Sequence, residues 1–329
     1  MVLRLVFERE DLQRVRLAAN PDPMWELILG LQKAQCRRPP ALFARWRQEV
    51  SRRIVDGERE SLQLLWSLFP TKDRFPDFLT PPQLVSDIDE GCEAVLSTPR
   101  QRLSGDLAAV FHDRPAEPWV RLLSTGDREH LDRITQATRT GYDVLIAPYW
   151  NRIRESFARE WLRRSQEIAT RGVGALLGSL PGVLSWDGRV LRTGYPDDRT
   201  VRLAGRGIVL LPSYFCWGNP VTWIDPELPP VLVYQACGRY SADQDAAEPA
   251  PHIVALLGRT RAECLRALLV PCTTTELAEQ VGTSVGAASR QTAVLRASGL
   301  IDSIRRGKAV QHNATLLGMA LLTDAPTDQ

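Results

Sequence analysis

The spacing of apolar positions changes several times along the chain. Val2-Leu-Arg-Leu-Val-Phe7 alternates in a period of two, which predicts a short strand. From Pro21 to about Leu180 apolar residues recur every three or four positions, the pattern of helices that bury one face. Each run opens on a residue suited to a first helical turn, where a missing N–H or a negative charge costs nothing. Pro23 precedes Met24–Gln35, Pro40 precedes Ala41–Val55, and Glu58 opens a run to Phe69. Pro82 leads into Gln83–Leu96, Pro99 into Arg100–Phe111, Asp127 into Arg128–Ile146, and Pro148 into Tyr149–Thr170. Between Trp186 and Ala236 the runs shorten to Val190–Leu191, Val201–Leu203, Ile208–Leu211, Val221–Ile224 and Val231–Tyr234. Glycines and the Pro229–Pro230 pair punctuate them, as in an antiparallel meander.

Ser241–Pro251 is small, acidic and proline-ended, so it buries no core and is expected to be a linker. It separates an N-terminal domain, residues 1–240, from a C-terminal domain, residues 252–322, with a tail at 323–329. In the C-terminal domain Ile253, Leu256, Leu257, Cys264, Leu265, Leu268 and Leu269 fall at helical spacing. Thr260 with Glu263, and Thr273 with Glu276, have the spacing of capping boxes, in which each side chain serves the other's backbone N–H. The second pair opens Thr274–Val281. Gly282-Thr283 breaks that helix, Ser284 caps a third from Val285 to Ala297, and Gly299 ends it. Leu300–Arg305 and Lys308–His312 flank Arg306-Gly307 as strand, tight turn and strand, and Thr315 starts a last helix through Leu322. The expected fold class is α+β and mostly helical: an N-terminal helical domain with an antiparallel β-meander, and a C-terminal winged helix-turn-helix.

Composition alters this little. A chain of 329 residues exceeds one average domain, and 44% hydrophobic with 24% charged residues is ordinary for a globular protein. A net charge of +2 does not imply a nucleic-acid partner, but its distribution is uneven. Residues 252–322 hold 8 Lys+Arg against 4 Asp+Glu, whereas residues 1–251 hold 33 of each. The six cysteines form no C-x-x-C pair and Met1 begins no signal peptide, so a cytoplasmic chain with buried free thiols is expected. The uncharged stretch Gly207–Ile224 is broken by Pro212, Gly218, Asn219 and Pro220, and reads as strands and a turn, not a membrane span.

The block TTTELAEQVGTSVGAASRQTAVLRASGLIDSIRRGKAVQHNATLLGMALL, which begins at Thr273, carries T-x-x-E-L-A, G-x-S, V-L-R-x-x-G-L-I and R-x-G-x-x-V-x-H in order. This ordered set resembles the ArsR-type winged-helix regulators over the last fifth to quarter of the chain. Residues 1–240 are similar to an uncharacterised domain that precedes such modules in some high-GC bacteria, a likeness that implies no chemistry. The resemblance implies a transcription regulator that binds double-stranded DNA with its third helix in the major groove. With Ala288, Thr292 and Leu295 as the buried seam, Arg290 points away from it and Gln291 lies on the flank. Arg290 then suits guanine O6/N7 and Gln291 suits adenine N6/N7. Ser284, Val285, Gly286, Ala287 and Ser289 are expected at the groove, the small ones allowing close approach, with Thr273 and Thr275 nearby on the preceding helix. Arg305, Arg306 and Lys308 are expected to meet phosphates or the minor groove. Thr292 stands where the family usually has leucine, and Gln291 replaces a common histidine.

Other chemistries find little support. No cysteine or histidine cluster has metal-ligand spacing: Cys272 has no nearby partner cysteine, and His252 and His312 are isolated in sequence. Gly172-Val-Gly174 with Gly178 has the wrong spacing for a dinucleotide loop, and no H-E-x-x-H, G-x-S-x-G or Walker lysine loop occurs. The nine tryptophans all lie outside the C-terminal module, and Tyr214-Phe-Cys-Trp217 is the place to look for an aromatic-walled effector pocket, lined by Tyr214, Phe215 and Trp217. The reading is therefore a DNA-binding repressor without cofactor or metal, not an enzyme. It is expected to be homodimeric through its N-terminal domain, to answer to an unknown small-molecule effector, and to have no membrane partner. Two alternatives stand beside it: an N-terminal enzyme or ligand-binding domain with an autoregulatory DNA module, and a winged helix that binds protein.

Overall fold

The computed structural model describes residues 1–36, 43–69, 74–112, 116–236, 251–268, 272–306 and 309–323. The class is α+β with helix dominant. The chain divides into two compact units, one of Met1–Ile153 with Glu167–Cys237, the other of Arg154–Gln166 with Gly238–Gln329.

In the first unit β1 (Val2–Val6) lies inside a sheet ordered β3 (Val183–Trp186), β4 (Val190–Gly194), β1, β5 (Arg199–Arg202). The alternation seen in sequence is the alternation of burial: Leu3 and Leu5 face the core and Arg4 does not. Strand β1 pairs antiparallel with β4 and parallel with β5. A second sheet, ordered β2 (Val15–Leu17), β6 (Ile208–Ser213), β7 (Val231–Gln235), is parallel throughout. The expected antiparallel meander is therefore not formed. Its apolar runs are near-continuous and not alternating; β6 and β7 are buried along almost their whole length, the signature of parallel strands. Val221–Ile224, expected as a strand, makes only an isolated antiparallel bridge from Val221 to Val233.

The helices follow the periodic runs with shifted ends. They are α1 (Arg9–Gln13), α2 (Pro23–Gln35), α3 (Ala44–Arg53), α4 (Asp56–Ser67), α5 (Ile88–Leu96), α6 (Arg100–Val110), α7 (Pro118–Ser124), α8 (Arg128–Leu145) and α9 (Trp150–Ser179). Helix α5 starts five residues later than expected because the Asp87 carboxylate, not Pro82, caps it by accepting from Glu90 N–H. Gly172, at φ 80° and ψ 170°, breaks α9 into two helical segments. Helix α8 is the hub: α2, α3, α4, α5 and α7 all pack on it, over a stripe of Leu131, Ile134, Ala137, Val144 and Leu145. Pro40 lies outside the described residues.

Buried carboxylates fasten loops to this body. Asp22 caps α2, accepting from the N–H groups of Met24 (2.9 Å), Trp25 (3.0 Å) and Val85 (2.9 Å). One turn on, Glu26 accepts from the Ser213 hydroxyl at 3.0 Å and from the N–H groups of Tyr214 and Phe215 at 2.9 and 3.1 Å. Burial pushes Asp22 up to about 6 and Glu26 up to about 7, against these hydrogen bonds.

The second unit contains α10 (Pro251–Leu257), α11 (Arg259–Ala267), β8 (Cys272–Thr273), α12 (Thr274–Val281), α13 (Val285–Ala297), β9 (Ile301–Arg306), β10 (Ala309–Ala314) and α14 (Leu316–Thr323). Its sheet is ordered β8, β10, β9. The core joins Cys264, Leu265, Leu268, Leu277, Ala288, Leu295, Leu300 and Ile301. Thr260 does not cap, contrary to the expected box. Gly258, at φ 79°, separates α10 from α11 and takes the N-cap position, leaving Thr260 inside the helix. Of the expected linker only Pro251 is among the described residues, and it is the first residue of α10. Residues 324–329 of the expected tail also lie outside them. No helix of the described residues is long and apolar enough to cross a membrane.

Candidate nucleic-acid interface

Three local devices fix α12 and α13 against each other. Thr273 N–H donates to Glu276 Oε2 at 2.7 Å, the Thr273 hydroxyl donates to the same oxygen at 2.9 Å, and Glu276 N–H donates to Thr273 Oγ1 at 3.3 Å. These bonds hold the Glu276 carboxyl below its ordinary range. They engage the Thr273 hydroxyl as donor and acceptor in the cap of α12; Thr275 is exposed. Gly282 takes the left-handed conformation (φ 66°, ψ 37°), and Thr283 N–H closes the turn onto the Ala278 carbonyl at 2.9 Å. Ser284 then caps α13, accepting from Ala287 N–H at 3.2 Å.

Helix α13 buries Ala288, Thr292 and Leu295, the seam expected from its period. The Thr292 hydroxyl, where hydrocarbon is usual, donates to the Ser289 carbonyl at 3.0 Å and is thereby satisfied. Away from the seam, Val285, Gly286, Ser289, Arg290 and Val294 are exposed, with Ala287 and Gln291 half-buried. The amide of Gln291 is engaged: its Oε1 accepts from Arg261 Nε of α11 at 3.1 Å. This bond uses one lone pair of the amide oxygen and leaves its second lone pair and the NH2 group outside the contact.

Strand register corrects the expected hairpin turn. Arg306 pairs with Ala309 and Arg305 with Val310, so Arg306, expected in the turn, is the last residue of β9; residues 307–308 lie outside the described residues. Arg305 is exposed; the Arg306 side chain and Lys308 lie outside the described residues. His312, isolated in sequence, is buried between two hydroxyls in the fold. Its Nε2 is 2.9 Å from Thr274 Oγ1 and its Nδ1 is 2.8 Å from Ser303 Oγ. It thus ties the start of α12 to β9. Burial, aided by the Arg296 charge, holds its pKa below the ordinary histidine value.

Among the described residues no group of three or more His, Cys, Asp or Glu could hold a metal ion. Burial pushes the Cys264 and Cys272 thiols up to about 11, which leaves them as small apolar core groups. In the first unit the three residues expected to wall an aromatic pocket differ in exposure. Tyr214 and Phe215 are buried around Phe43, with ring centroids 5.9 and 5.5 Å from it, because Glu26 draws their backbone inward. Trp217 lines an open cleft of about 250 Å³ with Lys33, Arg74 and Tyr195. No family model, curated protein or solved structure matches the chain.

Proposed function

We propose that the chain is a transcription regulator of ArsR-like type that binds duplex DNA through a winged helix-turn-helix made of α11–α13 and the β9–β10 hairpin. The observation that carries this reading is the exposed face of α13. A serine-capped N-terminus, small residues at Gly286 and Ala287 and an outward Arg290 stand on one helix, directly followed in the chain by a basic hairpin. A helix N-terminus favours phosphate, a small-residue face allows close groove approach, and arginine is the commonest reader of guanine. On this reading the protein acts as a homodimeric repressor that competes for promoter DNA, released by a small-molecule effector, in the cytoplasm, with no metal or cofactor. The test is selection from a random duplex library with the full chain. An enriched motif is expected; a library left unenriched rejects the reading.

A second reading rests on exposed apolar residues of the same module. Val285 and Val294 on α13, and Ile304 and Val310 on the hairpin, are solvent-facing. Such residues suit thymine methyl groups, but they also suit a protein partner. The Val294→Ser, Ile304→Ser double variant separates the two: a DNA reader keeps its phosphate affinity, and a protein-binding module loses its partner.

A further inference from the structure

Helices α11 and α13 pack on each other, with Ala262, Cys264 and Leu265 of the one and Ala288, Thr292 and Leu295 of the other buried. Outside this buried face, exposed Arg261 donates from Nε to Oε1 of half-buried Gln291 at 3.1 Å. Both side chains therefore stand on elements fixed by a core. Among the described residues Gln291 is the one partner of the Arg261 side chain. The positions three and four away from Arg261 are Leu257, Gly258, Cys264 and Leu265, so none of its helical neighbours is a carboxylate. Glu263, two residues on, lies on a different side of the helix. An arginine donates and does not accept, so the amide atom that faces it is the oxygen. Chemistry thus sets the flip of the Gln291 carboxamide: oxygen on Arg261, amino group turned away from it. A cation on the oxygen also polarises the amide and strengthens its amino N–H groups as donors.

We propose that Arg261 is a specificity-determining positioning residue: it holds the Gln291 carboxamide in one flip, so that Gln291 reads its base by donating, while Arg261 itself touches no base. This rests on the reading of α13 as the helix that enters the major groove. A glutamine amide left to itself turns about its last bond and offers donor or acceptor alike, which discriminates poorly between base edges. Held by Arg261, it offers its amino group to an acceptor: N7 of a purine, O6 of guanine or O4 of thymine. Less rotamer freedom is then lost on reaching the base, and pairings that need the amide reversed are penalised, because they break the bond to Arg261. The rival role for Arg261 is a direct contact from its terminal nitrogens to a backbone phosphate, which would carry no sequence information. The two roles differ in what the loss of the side chain does to base preference.

The experiment is selection from a random duplex library with the full chain, as parent, Arg261→Ala, Gln291→Ala and the double variant. Competition titrations with all four base pairs at each selected position follow. Gln291→Ala identifies the position that Gln291 reads. Arg261→Ala is expected to lower discrimination at that same position at least about fivefold and to leave the other positions unchanged. The double variant is expected to lose no more discrimination there than Gln291→Ala alone, since the two side chains act as one unit. Neither side chain belongs to the core, so all three variants should fold, which thermal melting verifies. The proposal is overturned if Gln291→Ala relaxes no position, if Arg261→Ala keeps full discrimination at the Gln291 position, or if the two losses add. It is overturned equally if Arg261→Ala weakens every duplex alike and flattens the salt dependence, the mark of a phosphate contact. A parent that enriches no motif overturns the DNA reading and this proposal together; an enriched motif with any of the other contrary results overturns this proposal alone.

Discussion

Arg290 and Gln291 are neighbours on α13 with different commitments. The Gln291 carbonyl is held by Arg261, whereas Arg290 is exposed on the side away from the seam. Arg306 is the last residue of β9, paired with Ala309; on the proposed reading it would meet backbone phosphates or the minor groove. Reading and positioning should therefore separate by substitution. Arg290→Ala is expected to cost ~1–3 kcal/mol on a selected site and little on random duplex. Arg306→Ala should weaken both alike and flatten the log–log salt dependence by about 1, one phosphate contact fewer. Anisotropy titrations at several salt concentrations on both DNAs measure this, and an equal loss on both for Arg290→Ala would remove it as the reading residue. The α13 seam was legible because helical period is a local property. The Arg261–Gln291 bond and the two hydroxyls around His312 were not, since their partners lie 30, 38 and 9 residues away in sequence.

At the scale of elements, local signals located most helices and their caps, and they failed where pairing is non-local. Nothing in the runs at 208–213 and 231–235 states that they lie parallel, since that depends on where the intervening chain crosses. Helices α1 and α7, of 5 and 7 residues, are too short to show a period. The close approach of α14 to Leu300, between α13 and β9, was equally hidden. Gly318 packs so tightly that a methyl group there would run into the Leu300 carbonyl oxygen, with Leu265 Cδ1 close behind at 3.1 Å. Gly318→Ala is expected to destabilise the second unit by ~1–3 kcal/mol, the usual range for overpacking. Gly286→Ala, whose added carbon meets only Arg290 Nη1 at 4.0 Å, should leave stability nearly unchanged. Urea melts followed by a probe in the second unit compare them, and equal midpoints would contradict this account of the packing.

Across the whole molecule the two units carry opposite proton linkage. In the first, Asp22 and Glu26 are raised to about 6 and about 7, so between the ordinary carboxylate range and those values the folded form holds protons that the unfolded chain has released. Stability contributed there falls as pH rises through that window. In the second unit His312 is lowered, so below the ordinary 6.5 the unfolded chain takes up a proton that the folded form resists, and stability falls as pH drops. Amide exchange at pH 5 and 7, corrected for intrinsic rates, should show Tyr214 and Phe215 better protected at pH 5. The amides of α12 and β9 should be better protected at pH 7. Shifts of the same sign in both would show that these groups do not govern the linkage. On the proposed reading, two copies of α13 in a homodimer would address half-sites about 10 base pairs, or a multiple, apart. Hydroxyl-radical footprinting of the full chain on a selected duplex tests this most directly. The account predicts two protected patches at that spacing, lost together in Arg290→Ala; a duplex cut uniformly at saturating protein would contradict it.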